Sequence, residues 1–539
     1  NYSAVTVTTI NDKINISIVG ANKWAGLEAV GTMENIVVRN AVQLPLGYPE
    51  LCFTFDEISR TINDYNGSDL SCSKDVVIPT TIHEMPVEHI GNNAFNSKGL
   101  NSVIIPNGVV TIGQNAFSLN NIEELEIPSS VIFIDYYAFM QNQISDLILS
   151  NGLKDIQLGA FSYNFITSVN IPDTVTYLSG FNNNNLTSVN IPSSVETIGN
   201  SAFSTNFINS VTIPGNVKYI ENAAFSYNGM TSVTLNPGLE RLEGFLWNNI
   251  TSVTIPNTVT YLAGFSFNSI SDIVIPSSVT MIGIHAFAYN DLRTVSVPNG
   301  VKTIDTWAFT SNAITSISLP NTLTTINERA MDHNLISNLV IPTSVTYLGE
   351  ASFNDNRLPD NQAFIYARNS NGTIDTTRIV SYGGTLRTGV VIPNNVTSMN
   401  VRSFAECYIN SITIPNTISE IPYIAFWRNN LTTLSIPNSV TTIGNMAFAE
   451  NSLTSLTIPS TVTSIADGAF TDNQMPDAQA FIYARNSNGT VNDTILGSYA
   501  GSKNSSVAIP GTVVIIGENS FSLNTDLTSV IIPSSTTTI

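Results

Sequence analysis

The stretch His83-Glu84-Met85-Pro86-Val87-Glu88-His89 places two imidazoles and two carboxylates close together, the residue types that hold zinc and activate water. Helical zinc sites need their histidines one turn apart; here they are six apart and Pro86 breaks the helix, so the stretch reads as a surface turn. The three cysteines, Cys52, Cys72 and Cys407, show no CxxC spacing and suggest no zinc site. The NSNGTID and NSNGTVND stretches from Asn369 and Asn486 have the outline of a calcium loop but lack its first, third and fifth carboxylates. There is no HExxH, GxSxG, P-loop or GxGxxG, and the acidic residues form no convergent pair. His285 and His333 fall at different places in the chain's repeat and suggest no metal. These residues argue for a non-catalytic protein with no metal and no cofactor.

Composition narrows the partners. Twenty Lys and Arg against 40 Asp and Glu leave 539 residues with a net charge of −20, and only 11% of residues are charged. Such a surface repels phosphate, so nucleic acid is a poor partner. No apolar run approaches the ~18 residues of a membrane span, so no direct membrane insertion is expected. The chain opens on Asn1 rather than Met, which reads as a processed or cut product.

The positioning framework is a repeat. LTSVNIPSSVETIGNSAFSTNF, from Leu186 to Phe207, recurs with small changes from residue 74 to the end. A fixed period between about 20 and 30 residues means a solenoid, each coil burying its apolar face against its neighbours. In SVNIP, Val189 and Ile191 alternate with Ser188 and Asn190, the pattern of a short strand with one buried face; some 19 such strands are expected in one parallel sheet. Phe203 marks a phenylalanine in nearly every coil, with Met331 the substitute, and predicts a stacked core spine. Three residues on, Asn206 marks an asparagine column, interrupted by Lys98 and Cys407, whose amides must satisfy turn backbone; Asn206→Ala should cost about 1–3 kcal/mol. Cys407 reads as a buried thiol in that column.

The pattern LxxVxIP followed by VxxIGxxAFxxN resembles the leucine-rich repeats of BspA-like bacterial surface proteins over roughly residues 74–539. The resemblance implies a right-handed, β-rich leucine-rich-repeat solenoid with about 22-residue repeats, a parallel sheet on one face and short turns or 3-10 turns on the other. It also implies a secreted or cell-surface adhesin that binds proteins of a host or neighbouring cell.

Residues 1–73 lie outside the phase and read as a β-rich N-terminal cap. Cys52 and Cys72 bracket its junction with the first coil and are candidates for a disulfide in an exported chain. Two coils are lengthened: 51 residues separate Pro342 from Pro393, and Pro459 from Pro510. Both carry AFIYARNSNGT, read as a hairpin with an Asn-Gly turn, within about 359–387 and 476–504. Three coils are instead shortened at Gly180, Gly244 and Gly264, where the backbone should approach its neighbour closely.

Two surface features could bind. The residue before the ladder Asn is Tyr227, Trp247, Phe267 and Tyr289 in four successive coils, an expected exposed aromatic strip beside the short coils. The strand face carries Ser188, Ser210, Ser232 and Ser252 in one column and Asn190, Thr212, Thr234 and Thr254 in the next, a possible groove for an extended peptide or glycan. The leading expectation is an extracellular adhesin or recognition module for protein or carbohydrate. The alternatives are a structural spacer, stalk or surface-layer element, and ice binding through the Ser/Thr array.

Overall fold

The computed structural model describes residues 5–10, 13–18, 50–69, 72–501 and 506–539. Contacts divide the chain into two compact units, Asn1–Tyr48 and Pro49–Ile539. In the first, Val5–Ile10 pairs antiparallel with Lys13–Ile18. The second is the solenoid.

Each coil is held from inside by apolar residues that have no other place to go. In the reference coil Leu186, Val195, Ile198, Ala202 and Phe203 are fully buried. The phenylalanines stack along the axis, with ring centroids 4.7 Å apart at Phe95–Phe117 and 5.8 Å apart at Phe287–Phe309. Met331 fills the slot where the Phe is missing and is equally buried.

The main sheet lies one segment further along each coil than SVxIP. A continuous 15-stranded sheet runs from Phe53–Asp56 to Tyr347–Leu348. Beyond its first hairpin it consists of two-residue strands such as Thr197–Ile198, which pairs in parallel with Tyr177–Leu178 and Tyr219–Ile220. The SVxIP segments form ladders only in twos, such as Ser210–Ile213 with Ser232–Leu235. The proline that closes most of these segments has no N–H, so that edge lacks a donor in most coils; Ser150 and Asn236, which replace it, donate to Ile127 O and Ile213 O at 3.2 Å. The expected sheet of some 19 strands on SVxIP is therefore corrected in both place and extent.

The opposite edge consists of the expected short turns, and these are also joined coil to coil by a second hydrogen-bonded ladder. Ser201, Phe203 and Thr205 donate to Asn222, Ala224 and Ser226 of the next coil at 3.0, 2.7 and 2.8 Å. Between them, Ala202 and Ser204 donate back within their own coil to Gly199 and Ser201. Alternating the two directions forces a left-handed backbone two residues before and two after the Phe: Ser201 at φ 52° and Thr205 at φ 56°. L-residues hold this conformation at a cost of roughly 1–2 kcal/mol each. Exposed Thr205 is β-branched and should gain from glycine there. Thr205→Gly is expected to stabilise the coil by about 0.5–1 kcal/mol after the unfolded-chain entropy is counted. A denaturation midpoint that falls on this substitution would refute the assignment.

The two long coils contain antiparallel hairpins, Phe364–Arg368 with Ile374–Tyr382 and Phe481–Arg485 with Val491–Tyr499. They repeat the geometry of Phe53–Asp56 with Thr61–Tyr65, which opens the solenoid. In all three the first Phe pairs with the last Tyr: Phe53 with Tyr65, Phe364 with Tyr382, Phe481 with Tyr499. The tyrosine then starts a ring stack, on Phe95, Phe404 and Phe521 respectively. Cys52 and Cys72 are joined by a disulfide across the base of the first hairpin.

Candidate functional site

The asparagine column shows how the turn edge is fixed. Asn206 is buried; its Oδ1 accepts the N–H of Leu186 at 2.9 Å, and its Nδ2 donates to the carbonyls of Phe181 and Phe203 at 2.9 and 3.1 Å. Each asparagine thus ties its own coil to the one before it. At Cys407 the thiol takes the slot, donating to Tyr382 O and Ala405 O at 3.4 Å, and full burial pushes its pKa up. In the first coil Lys98 turns away to Asp64 at 2.8 Å, while Lys74 Nζ caps the carbonyls of Gly67 and Lys98.

Because the ladder residue is locked, the left-handed residue before it projects outward. Tyr227, Trp247 and Tyr289 are 53%, 44% and 46% exposed, and Phe267 is half-buried. The four side chains come together as a ladder of near-parallel rings. Centroid distances are 5.6 Å for Tyr227–Trp247, 3.8 Å for Trp247–Phe267 and 4.4 Å for Phe267–Tyr289, with interplanar angles of 12°, 7° and 8°. The inner faces are spent on each other, so solvent meets ring edges, the Tyr hydroxyls and the indole N–H. Tyr163, Phe165 and Phe207 are also exposed on this turn edge. The last two belong to a separate column, four residues after the spine Phe and two beyond the strip position, whose only sequence signal is that spacing.

The short coils bring the ladder together. Leu262 of the sheet reaches Phe265 in three residues, whereas Ile198 reaches Phe203 in five. A Cβ on Gly264, at φ 79°, would lie 2.4 Å from the Gly244 nitrogen. Gly180 and Gly244, at φ 92° and 101°, would likewise press on neighbouring carbonyls at 2.6 and 2.8 Å. The closest ring spacing, Trp247–Phe267, falls on the two consecutive short coils.

On the SVxIP face Ser188, Asn190, Ser210, Thr212, Ser232, Thr234, Ser252 and Thr254 are all exposed. The first six, with Val189 and Val211, line a shallow depression of about 400 Å³. Ser210 pairs with Ser232 and Thr212 with Thr234 in register, whereas Ser252 and Thr254 lie beyond the depression. It offers hydroxyls and one amide, with no charge.

The mixed pre-ladder column is not exposed throughout. His333 and Asp355 are drawn into an ion cluster with Asp332, Arg329, Arg387 and Glu406. The sequence signal was the concentration of arginines around the first long insertion in a chain with few charges. His83 sits in a tight turn, its Nδ1 2.9 Å from Glu57 Oε1. Among the described residues no three His, Cys, Asp or Glu side chains gather to hold a metal, and no helix is long and apolar enough to cross a membrane.

The family model for the BspA type leucine-rich repeat region matches residues 61–180, 177–269, 241–359, 381–483 and 492–539. Among solved structures the chain is similar to YopM from Yersinia enterocolitica, at 18% identity over 75% of this chain and 85% of that one, TM-score 0.48. It is also similar to a leucine-rich repeat protein from Eubacterium ventriosum, at 17% identity over 74% and 90%, TM-score 0.33. A leucine-rich cell surface protein from Faecalibacterium prausnitzii matches at 19% over 91% and 96%, TM-score 0.31. No curated protein matches the chain.

Proposed function

The chain belongs to the BspA-type leucine-rich repeat family, and from that premise we propose that it is a non-catalytic recognition module at the bacterial cell surface or outside the cell. Leucine-rich repeats are typically protein-interaction surfaces, and the partner here is a protein of a host or neighbouring cell. The observation that carries the reading is the exposed ring ladder Tyr227–Trp247–Phe267–Tyr289. An aromatic row of this length is unfavourable to leave in water and is held rigid by the αL backbone beneath it, which lowers the entropy lost on binding.

The geometry favours a polypeptide over a glycan. Sugars pack on open ring faces, and the inner faces are closed by stacking; ring edges and polar tips suit protein side chains and carbonyls. The Cys52–Cys72 disulfide supports an oxidising, extracellular setting. The hydroxylated depression is a second contact surface of the same module.

The test is a binding screen against host matrix proteins and glycans with the intact chain and its Trp247→Ala variant. Trp247→Ala is expected to weaken the protein ligand by about 2 kcal/mol while leaving the melting temperature nearly unchanged. Equal affinities for the two chains would remove the ladder from the interface. A screen with no ligand at all would favour the spacer.

A further inference from the structure

The solenoid changes character where the first hairpin enters. The 15-stranded sheet ends at Tyr347–Leu348. The connected apolar core from Ala363 to Val507 contains no residue of an earlier coil. Several polar contacts cross this seam. Asn354 is buried; its Nδ2 donates to Arg402 O and Ala405 O, both at 2.9 Å, and its Oδ1 accepts from Ser381 Oγ and Tyr382 N at 2.6 and 3.1 Å. Arg329 bonds Asp332 through Nε and reaches across to Glu406 through Nη2, both at 2.6 Å, and Arg402 pairs with Glu328.

We propose that this seam is a pH-gated joint: protonated His333 completes the charge balance that clamps the coils before the hairpin to those after it, and loss of its proton loosens the joint while each block stays closed. His333 Nδ1 lies 3.1 Å from Asp332 Oδ2, whose side chain is fully buried. The carboxylates facing this cluster are Asp332, Asp355 and Glu406. The facing cations are Arg329, shared by Asp332 and Glu406, and Arg387, 2.7 Å from Asp355. Arg428 approaches Glu406 at 3.3 Å but is shared with Glu450 at 3.4 Å, and Arg357 adds to the field at Asp355. With His333 charged, buried Asp332 is held by both the imidazolium and Arg329; with it neutral, Asp332 keeps only Arg329, whose other arm is the one that reaches Glu406 across the seam.

Burial alone would lower the His333 pKa, but its hydrogen bond to Asp332 and the charges of Asp332, Asp355 and Glu406 raise it above its usual value. A raised folded pKa gives stability that is fully present below the unfolded value of about 6.5 and lost as pH rises through the folded value.

The experiment is hydrogen exchange on the intact chain at about pH 5.5 and about pH 8.5, corrected for intrinsic rates, reading the cross-seam amides of Ala351 (to Val380 O) and Leu358 (to Gly383 O). Their protection is expected to fall about tenfold per unit of pKa elevation at the higher pH, while Phe203 and Phe225 hold theirs. In His333→Gln the pH dependence should vanish. Cross-seam protection that is equal at both pH values, or unchanged pH dependence in His333→Gln, overturns the joint. Should that variant misfold, the wild-type imidazole can be titrated by NMR; a midpoint at or below about 6.5 overturns it equally.

Discussion

Alanine at Asn206 is expected to cost the array about 3 kcal/mol, concentrated in two neighbouring coils. The carbonyls it serves keep a second donor each: Phe181 O from Asn184 and Phe203 O from Asn228. The Leu186 N–H has Asn206 Oδ1 as its acceptor and is left buried and unpaired, which sets the cost together with the cavity. Asn206→Asp should be worse near neutral pH, because it aims a buried carboxylate at two carbonyl oxygens. That carboxyl would have a raised folded pKa, so stability should recover as pH falls through it and the protonated acid donates again. Thr205→Ala, one residue away and exposed, should cost under about 0.5 kcal/mol. Equal denaturation midpoints for the Asn206 and Thr205 alanine variants would show that the amide does not bridge the coils.

Gly264→Ala is the second large effect, about 3 kcal/mol or more. The added methyl meets the backbone of Gly244 and Glu243 at 2.4 and 2.9 Å, atoms that cannot swing aside, and the residue already sits at positive φ. Relief would require the two short coils to part, breaking the Phe245 N–H to Gly264 O bond of 2.8 Å. Trp247 stacks on Phe267 across this junction, so its fluorescence should shift along with the loss of stability. Gly511→Ala, where a Cβ meets nothing within 4 Å, is the control. Indistinguishable midpoints for the two glycine variants would refute the close-packed junction.

The solenoid, its spine and the amide column were legible because each repeats at one phase, and repetition turns weak local signals into a firm pattern. Tyr227, Trp247, Phe267 and Tyr289 could be placed on one edge for the same reason. Mutual stacking and an open strip were equally compatible with that placement, since ring orientation depends on the left-handed φ of four residues that no propensity favours there. The sheet was misplaced because SVNIP alternates more cleanly than VETIG, although only the latter keeps all its backbone donors. The Arg329–Glu406 contact joins positions 77 apart, outside the repeat period, and no spacing rule reaches it. The kinship of the three hairpins was hidden because Phe53…Tyr65 shares with Phe364…Tyr382 little beyond its end residues and one aromatic–aliphatic pair, Phe55 with Ile62 or Tyr366 with Ile379.

Those hairpins give the array internal starting points, with a consequence for heredity. The twin stretches PDNQAFIYARNSNGT and PDAQAFIYARNSNGT begin at Pro359 and Pro476, and DNA that encodes such twin stretches in similar codons is a natural site for unequal crossing-over. An exchange between them would add or delete a whole block that opens with its own tyrosine-headed ring stack and closes against the next hairpin. Every product would keep its coils in register, so sister lineages could vary the length of the array in fixed increments without passing through an unfoldable intermediate.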